Sequence, residues 1–263
     1  NDSNAVQLLL QKHKPDYIIH FASQSSVAKS WDDIPATLHN NVNSFILLAE
    51  GVRKYCSDTR MLVIGSSEEY GEGAPDNLPI EETCPLHPQN PYAIARVAQE
   101  MLAIMYVKSF RLDIVMTRSF NHIGPGQSEH FAIPSFVKQI ITAKNNNTSC
   151  ILKTGNIDVV RDFVDVRDAV KAYYLLLKQG KNGDVYNICS GVGYSLRAII
   201  TMLSEITSVQ VVIEHDQSKM RPAEVQTIIG SYQKINTLTG WSPTINIRQS
   251  LEDIVKGQSS ALH

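Results

Sequence analysis

Cysteine is scarce and scattered. Cys56, Cys84, Cys150 and Cys189 are the four in 263 residues, with no C-x-x-C pair and no adjoining histidine. That pattern gives no zinc site and no disulfide framework, so the thiols are expected to be reduced, as in a cytoplasmic protein. No apolar run approaches the roughly 18 residues of a membrane span, and no basic segment leads into an apolar one at the start. Charge of one sign is lacking as well: 24 Lys and Arg stand against 26 Asp and Glu, a net charge of -2. Nucleic acid and anionic membrane are therefore not expected as partners. There is no internal repeat, no low-complexity linker, and no G-x-x-G-x-x-G or related glycine loop to cradle phosphates. His20, His87 and His122 show no metal spacing, so no metal is expected and each is read as structural. Asn146 and Asn147 head glycosylation-type triplets, which are frequent by chance. The first residue is Asn1 rather than Met, and Asn1 to Lys14 reads as the end of something larger, so preceding residues are expected.

What is present is an ordinary core-forming composition, 43% hydrophobic and 19% charged. A short helix at Ala5 to His13 leads into Tyr17-Ile18-Ile19-His20-Phe21-Ala22, an apolar run that suits a parallel strand covered on both faces. A helix is expected at His39 to Tyr55, a strand at Arg60 to Gly65, and a turn-rich loop from Tyr70 to Asn90. Asn90 is placed to cap the next helix, with Pro91 first and Ile94, Val97, Met101 and Ile104 as its apolar stripe. A strand at Leu112 to Arg118 follows. Such alternation implies an α/β fold with a doubly wound parallel sheet. Beyond Gly126 the pattern loosens into a smaller lobe. Helices are expected at Ile133 to Ala143, Val166 to Gln179, after Ser195, near Tyr232 to Leu238 and at Ile247 to Lys256. Strands are expected at Cys150 to Lys153, Asp184 to Cys189 and Val209 to Glu214.

The chemistry concentrates in three motifs. Tyr92 and Arg96 are one helical turn apart, and a cation on the same face favours the ionised form of a phenol whose pKa in water is about 10. Ser66, in Gly65-Ser66-Ser67-Glu68-Glu69-Tyr70-Gly71, ends a core strand, where a hydroxyl can donate to a carbonyl or accept from an alcohol. Glu68 is either a base or a solvated loop acid, and Glu69 is read as structural. The third motif is Asn121-His122-Ile123-Gly124-Pro125-Gly126.

In this order and spacing the motifs resemble the extended short-chain dehydrogenase/reductases that act on nucleotide sugars, over about Asp16 to Trp241. The nearest resemblance within that family is to the GDP-6-deoxy-D-mannose reductases. It implies a Rossmann-like fold lacking its first strands, roughly one βαβ unit and the start of the next or about 50 to 60 residues, and NADP or NAD as cofactor. It further implies reduction of the C4 ketone of GDP-4-keto-6-deoxy-D-mannose to GDP-D-rhamnose. GDP-mannose 4,6-dehydration is the alternative, and nucleotide-sugar binding without turnover a second one. By resemblance, residues 1–125 form the dinucleotide-binding domain, with 157–190 returning to it, and 126–156 with 191–263 form the substrate lobe. Ser66, Glu68, Tyr92 and Arg96 take the catalytic positions. Phe21, Ala22, Ser23 and Asn41, with Tyr92 and Arg96, take those beside the cofactor. Ser26, Asn121, Arg161, Arg221 and Glu224 take those of the GDP-sugar. The family has lysine where this chain has Arg96, and a guanidinium keeps the charge but is a poor proton carrier. A homodimer is implied, through the Tyr92 helix and the one before it.

Overall fold

The computed structural model describes residues 2–72, 78–219 and 225–261. The first part of the chain runs α1 (Ser3–His13), β1 (Tyr17–His20), α2 (Val27–Asp32), α3 (Ile34–Leu38), α4 (Ser44–Tyr55), β2 (Arg60–Ser66), α5 (Pro91–Phe110), β3 (Asp113–Ser119) and β4 (Asn121–Ile123). Next come α6 (Ala132–Asn145), β5 (Cys150–Thr154), β6 (Val160–Asp165), α7 (Val166–Gln179), β7 (Val185–Ile188) and β8 (Gly193–Ser195). The last elements are α8 (Leu196–Thr207), β9 (Val211–His215), β10 (Thr227–Ile228), α9 (Gln233–Thr239) and α10 (Ile247–Ala261).

The main sheet is parallel throughout, in the order β1-β2-β3-β7. Residues 61–64 show why it is wound on both sides. Met61 and Val63 pack with Phe45, Ala49 and Tyr106 of α4 and α5, whereas Leu62 and Ile64 pack with Ala172 and Leu176 of α7 and with Trp241. A strand that alternates its side chains between two covered faces has no room for a polar residue among them. The expected α/β fold with a doubly wound parallel sheet is present.

A second sheet carries β10, β6 and β4 in parallel, with β8 antiparallel to β6, and β5 pairs with β9. Helices α6, α8 and α10 close a separate core over β5, around Phe136, Ile140, Leu152, Leu203 and Leu251. Helix α9 packs instead against α7, where Trp241 Nε1 donates to the Asp168 carbonyl at 3.1 Å.

Several elements differ from expectation. Helices α2 and α3 occupy a stretch with no apolar period; local caps start them, Ser26 Oγ accepting from Lys29 N–H and Asp33 Oδ1 from Ala36 N–H. The helix expected from His39 begins with a π-helical turn at His39–Asn43. Strand β6 escapes a hydrophobic reading because Arg161 and Asp162 are buried within it. Half of the stripe expected for α5 is turned outward: Ile94 is 49% and Met101 62% exposed, Val97 and Ile104 are half-buried with Ile104 against the core, and Tyr92, Arg96, Gln99 and Tyr106 are buried. Polar groups claim the inner face of this helix, so hydrophobicity alone misplaces it.

Candidate active site

A cleft of about 410 Å³ opens at the carboxyl ends of β1, β2 and β3, where ligands of open parallel sheets bind. Ser66 and Ser119 end neighbouring strands in register, and both line it. Ser66 also caps the turn that follows. Its Oγ accepts from Glu68 N–H at 3.3 Å, and its own N–H donates to Glu69 Oε1 at 2.7 Å. Glu69 is fully buried, and burial, with the charge of Glu100 added, pushes its carboxyl well above the ordinary range.

Asn90 joins this turn to α5. Its Nδ2 donates to Glu68 Oε2 at 3.0 Å, and its Oδ1 accepts from Ala93 N–H at 2.8 Å, which caps the helix ahead of Pro91. Glu68 lines the cleft beside it. One turn into α5, Arg96 folds back over Tyr92, with Nε–H 3.3 Å from the phenol oxygen and the guanidinium carbon 5.3 Å from the ring centroid. Both line the cleft, 4% and 7% exposed. The same guanidinium donates to the Ile64 carbonyl at 3.0 Å, to Gln99 Oε1 at 2.7 Å and to Ser23 Oγ.

The segment after β1 forms the adjoining wall. Phe21, Ser23 and Ser26 line the cleft, and the Phe21 ring, 54% exposed, stands edge-on to Tyr173 at 5.7 Å. Ala22 and Asn41 are not brought to this wall. Ala22 turns its carbonyl to Ser44 Oγ. Asn41, fully buried in the π-helical turn, accepts from Gln24 N–H at 2.7 Å and donates to the Gln24 carbonyl at 3.0 Å, so it holds the loop from behind. Asn121 on β4 and Arg161 on β6, from the second sheet, also line the cleft. Arg221 and Glu224 lie outside the described residues.

His122, read as structural, lines the cleft. Its Nε2 is 2.6 Å from the Tyr173 hydroxyl, itself 2.8 Å from Ser119 Oγ. Burial lowers the His122 pKa to about 4 and raises the Tyr173 phenol. Its place directly after Asn121 was a usable signal; Tyr173 and Ser119 offered none, since nothing local marks them. The chemistry available is proton donation by a phenol held against a buried cation, with a serine hydroxyl on the neighbouring strand end and a carboxylate at the rim. The second sheet adds an amide and a guanidinium suited to an anionic group.

Similarity to known proteins extends over most of the chain. Residues 1–254 match the family model described as GDP-mannose 4,6 dehydratase. A GDP-6-deoxy-D-mannose reductase of Pseudomonas aeruginosa is 38% identical over 246 residues, covering 94% of this chain and 81% of that protein. A GDP-mannose 4,6-dehydratase of Vibrio cholerae is 27% identical over 297 residues, covering 99% of this chain and 79% of its own length. Among solved structures, RMD from Pseudomonas aeruginosa complexed with NADPH superposes with a TM-score of 0.92 at 36% identity, over 99% of this chain and 86% of that one.

Proposed function

Because the chain belongs to the GDP-mannose 4,6-dehydratase family of extended short-chain dehydrogenase/reductases, we propose that it is an NADPH- or NADH-dependent oxidoreductase converting GDP-4-keto-6-deoxy-D-mannose to GDP-D-rhamnose. The observation that carries the reading is the buried Tyr92–Arg96 pair lining the cleft at the end of β2. The choice of substrate follows the GDP-6-deoxy-D-mannose reductase relative.

The residues present fit the nicotinamide end of a dinucleotide: the Phe21 ring and the Ser23 hydroxyl border the cleft where Arg96 reaches it. Phe21, Ser23, Tyr92 and Arg96 would hold it, with Ala22 and Asn41 shaping the loop, and when bound it supplies the hydride. Ser66 Oγ–H donates to the ketone oxygen, Tyr92 passes its proton to that oxygen, and Arg96 stabilises the phenolate left behind. Asn121 and Arg161 grip the diphosphate, Ser26 faces the sugar, and Arg221 and Glu224 complete the nucleotide site. Residues 1–125 with 157–190 form the dinucleotide-binding part, from which Ser26, Asn121 and Arg161 reach the GDP-sugar, and 126–156 with 191–263 form the substrate lobe.

Glu68 favours a second reading, 4,6-dehydration, since a half-buried carboxylate held by Asn90 at the cleft could remove a sugar proton. We also place two copies together through α4 and α5, where Ile94, Met101 and Met105 are exposed. No helix among the described residues is long and apolar enough to cross a membrane, and the four cysteines are free; we assign the protein to the cytoplasm.

The deciding assay mixes the protein with the ketosugar and NADPH or NADH and follows cofactor oxidation. Turnover is expected, with kcat lowered at least ~100-fold in Tyr92→Phe. Folded protein that oxidises no cofactor rejects the reductase. Conversion of GDP-mannose to a ketosugar without added reductant would establish the dehydratase, and GDP-sugar binding without either reaction a binding protein.

A further inference from the structure

Arg96 carries a full charge in a buried place, yet each of its hydrogen-bond partners among the described residues is neutral: the Tyr92 hydroxyl, the Ile64 carbonyl, the Gln99 amide and the Ser23 hydroxyl. A buried cation ordinarily takes a carboxylate, and two stand near. Glu100 lies at i+4 on the same helix, the spacing that favours pairing. It is held instead by Arg118, whose Nε and Nη2 reach its two oxygens at 2.9 and 2.7 Å. Glu69 feels the charge of Arg96, but its Oε1 accepts from Ser66 N–H and burial favours its neutral form.

The other titratable neighbours are also committed. Tyr173, on α7, is within the field of Arg96 and bonds Ser119 and His122. His20, on β1, is kept neutral by burial first and by Arg96 second. That leaves Gln99, which presents an amide where a carboxylate would form an ion pair. Its Oε1 accepts from Arg96 Nη1 at 2.7 Å, and its Nε2 sits 3.3 Å from His20 Nδ1. The amide nitrogen can only donate, so Nδ1 accepts and Oε1 is turned to the guanidinium. His20 Nε2 is left buried without a partner among the described residues, which is the cost of that orientation.

We propose that Gln99, oriented by His20, is a positioning residue that holds the Arg96 guanidinium against Tyr92 without cancelling its charge, so that the phenol oxygen is where the charge acts. This rests on the reading of Tyr92 as proton donor. A glutamate at position 99 has nearly the same shape and would neutralise Arg96. A methionine there would lose the contact and leave the charge.

The test follows phenolate absorbance of the cofactor-free protein as pH is raised, in the wild type, Gln99→Glu and Gln99→Met. Each is paired with its Tyr92→Phe counterpart to isolate the Tyr92 signal. Gln99→Glu is expected to move that signal about one pH unit upward, a tenfold change in ionisation. Gln99→Met should move it by less than about a third as much. The alkaline limb of ketone reduction is expected to move with the signal. Equal shifts in the two variants, or none in Gln99→Glu, would overturn the proposal. Should Gln99→Glu fail to fold, Gln99→Asp is expected to shift the signal in the same direction by less, its carboxylate being one methylene farther from the guanidinium, and no shift there would overturn the proposal. If the wild type reduces no ketosugar, the reading of the reaction fails while the phenolate titration still judges Gln99.

Discussion

His20 stays folded only by giving up its proton. Burial, then the charge of Arg96, lowers its pKa from 6.5 to about 4, so between those values the unfolded chain binds a proton that the folded one does not. Stability is therefore lost as pH falls from about 6.5 towards 4, by up to roughly 3 kcal/mol for this residue. His122 acts in the same direction. Glu69 has the opposite sign: its raised folded value costs stability above 4.5, a cost that shrinks on acidification. The clean readout is the difference between wild type and His20→Gln, in which Glu69 cancels. Urea midpoints at pH 7 and pH 4.5 should show a smaller acid loss in the variant, and equal losses would contradict this. At this scale much of the site was legible in the sequence. Tyr92 and Arg96 announce themselves because i and i+4 meet on any helix. The burial of Glu69, and the fact that Asn41 spends its amide on Gln24, were not legible, since both depend on chain segments far off in sequence.

Helix α5 has an inverted character that explains both what sequence reading found and what it missed. Its caps, Asn90 and Pro91, are local and were legible; its buried face is not, because Arg96, Gln99 and Glu100 are buried by partners on β1, β2 and β3. The apolar residues left outside, Ile94 and Met101 at 49% and 62% exposure, are what the proposed second copy would cover. Met101→Asp is expected to shift the protein from dimer to monomer in sedimentation velocity, with secondary structure retained; an unchanged dimer would put the contact elsewhere. The inner face carries a separate expectation. Arg118 is 5% exposed and bonds Glu100 with two nitrogens, Tyr70 with a third contact at 3.1 Å and the Glu82 carbonyl at 3.0 Å. Glu100→Ala leaves that charge buried and is expected to cost about 3 to 5 kcal/mol, measured by chemical denaturation. A loss below about 1 kcal/mol would mean that water or Tyr70 replaces the carboxylate.

In the whole molecule the cleft is held by carboxylates that tie distant segments. Asp162 on β6 accepts from Ser190 N–H at 2.7 Å, Ser190 Oγ at 2.6 Å, Gly191 N–H at 2.9 Å and Gly230 N–H at 3.2 Å, joining the end of the main sheet to the second one. Asp168 on α7 accepts from Thr244 and Ile245 N–H and fixes the approach to α10. Alternating strands and helices made the main sheet legible, but the closure of the second sheet over it was not, because β6 is polar inside and β10 is two residues long. That closure brings Arg161 and Asn121 into the lining of the cleft that also holds Tyr92. If they hold a diphosphate, GDP alone at a hundred times its Kd should stabilise the fold by about 2.7 kcal/mol. Arg161→Met should abolish that thermal shift. The ligand-free melting temperature of each variant is the baseline for that shift, since Arg161 also donates to the Val160 carbonyl at 2.9 Å and the Gln226 carbonyl at 3.4 Å. A GDP shift that survives in Arg161→Met would move the nucleotide to another part of the cleft and leave Arg161 a structural residue of β6.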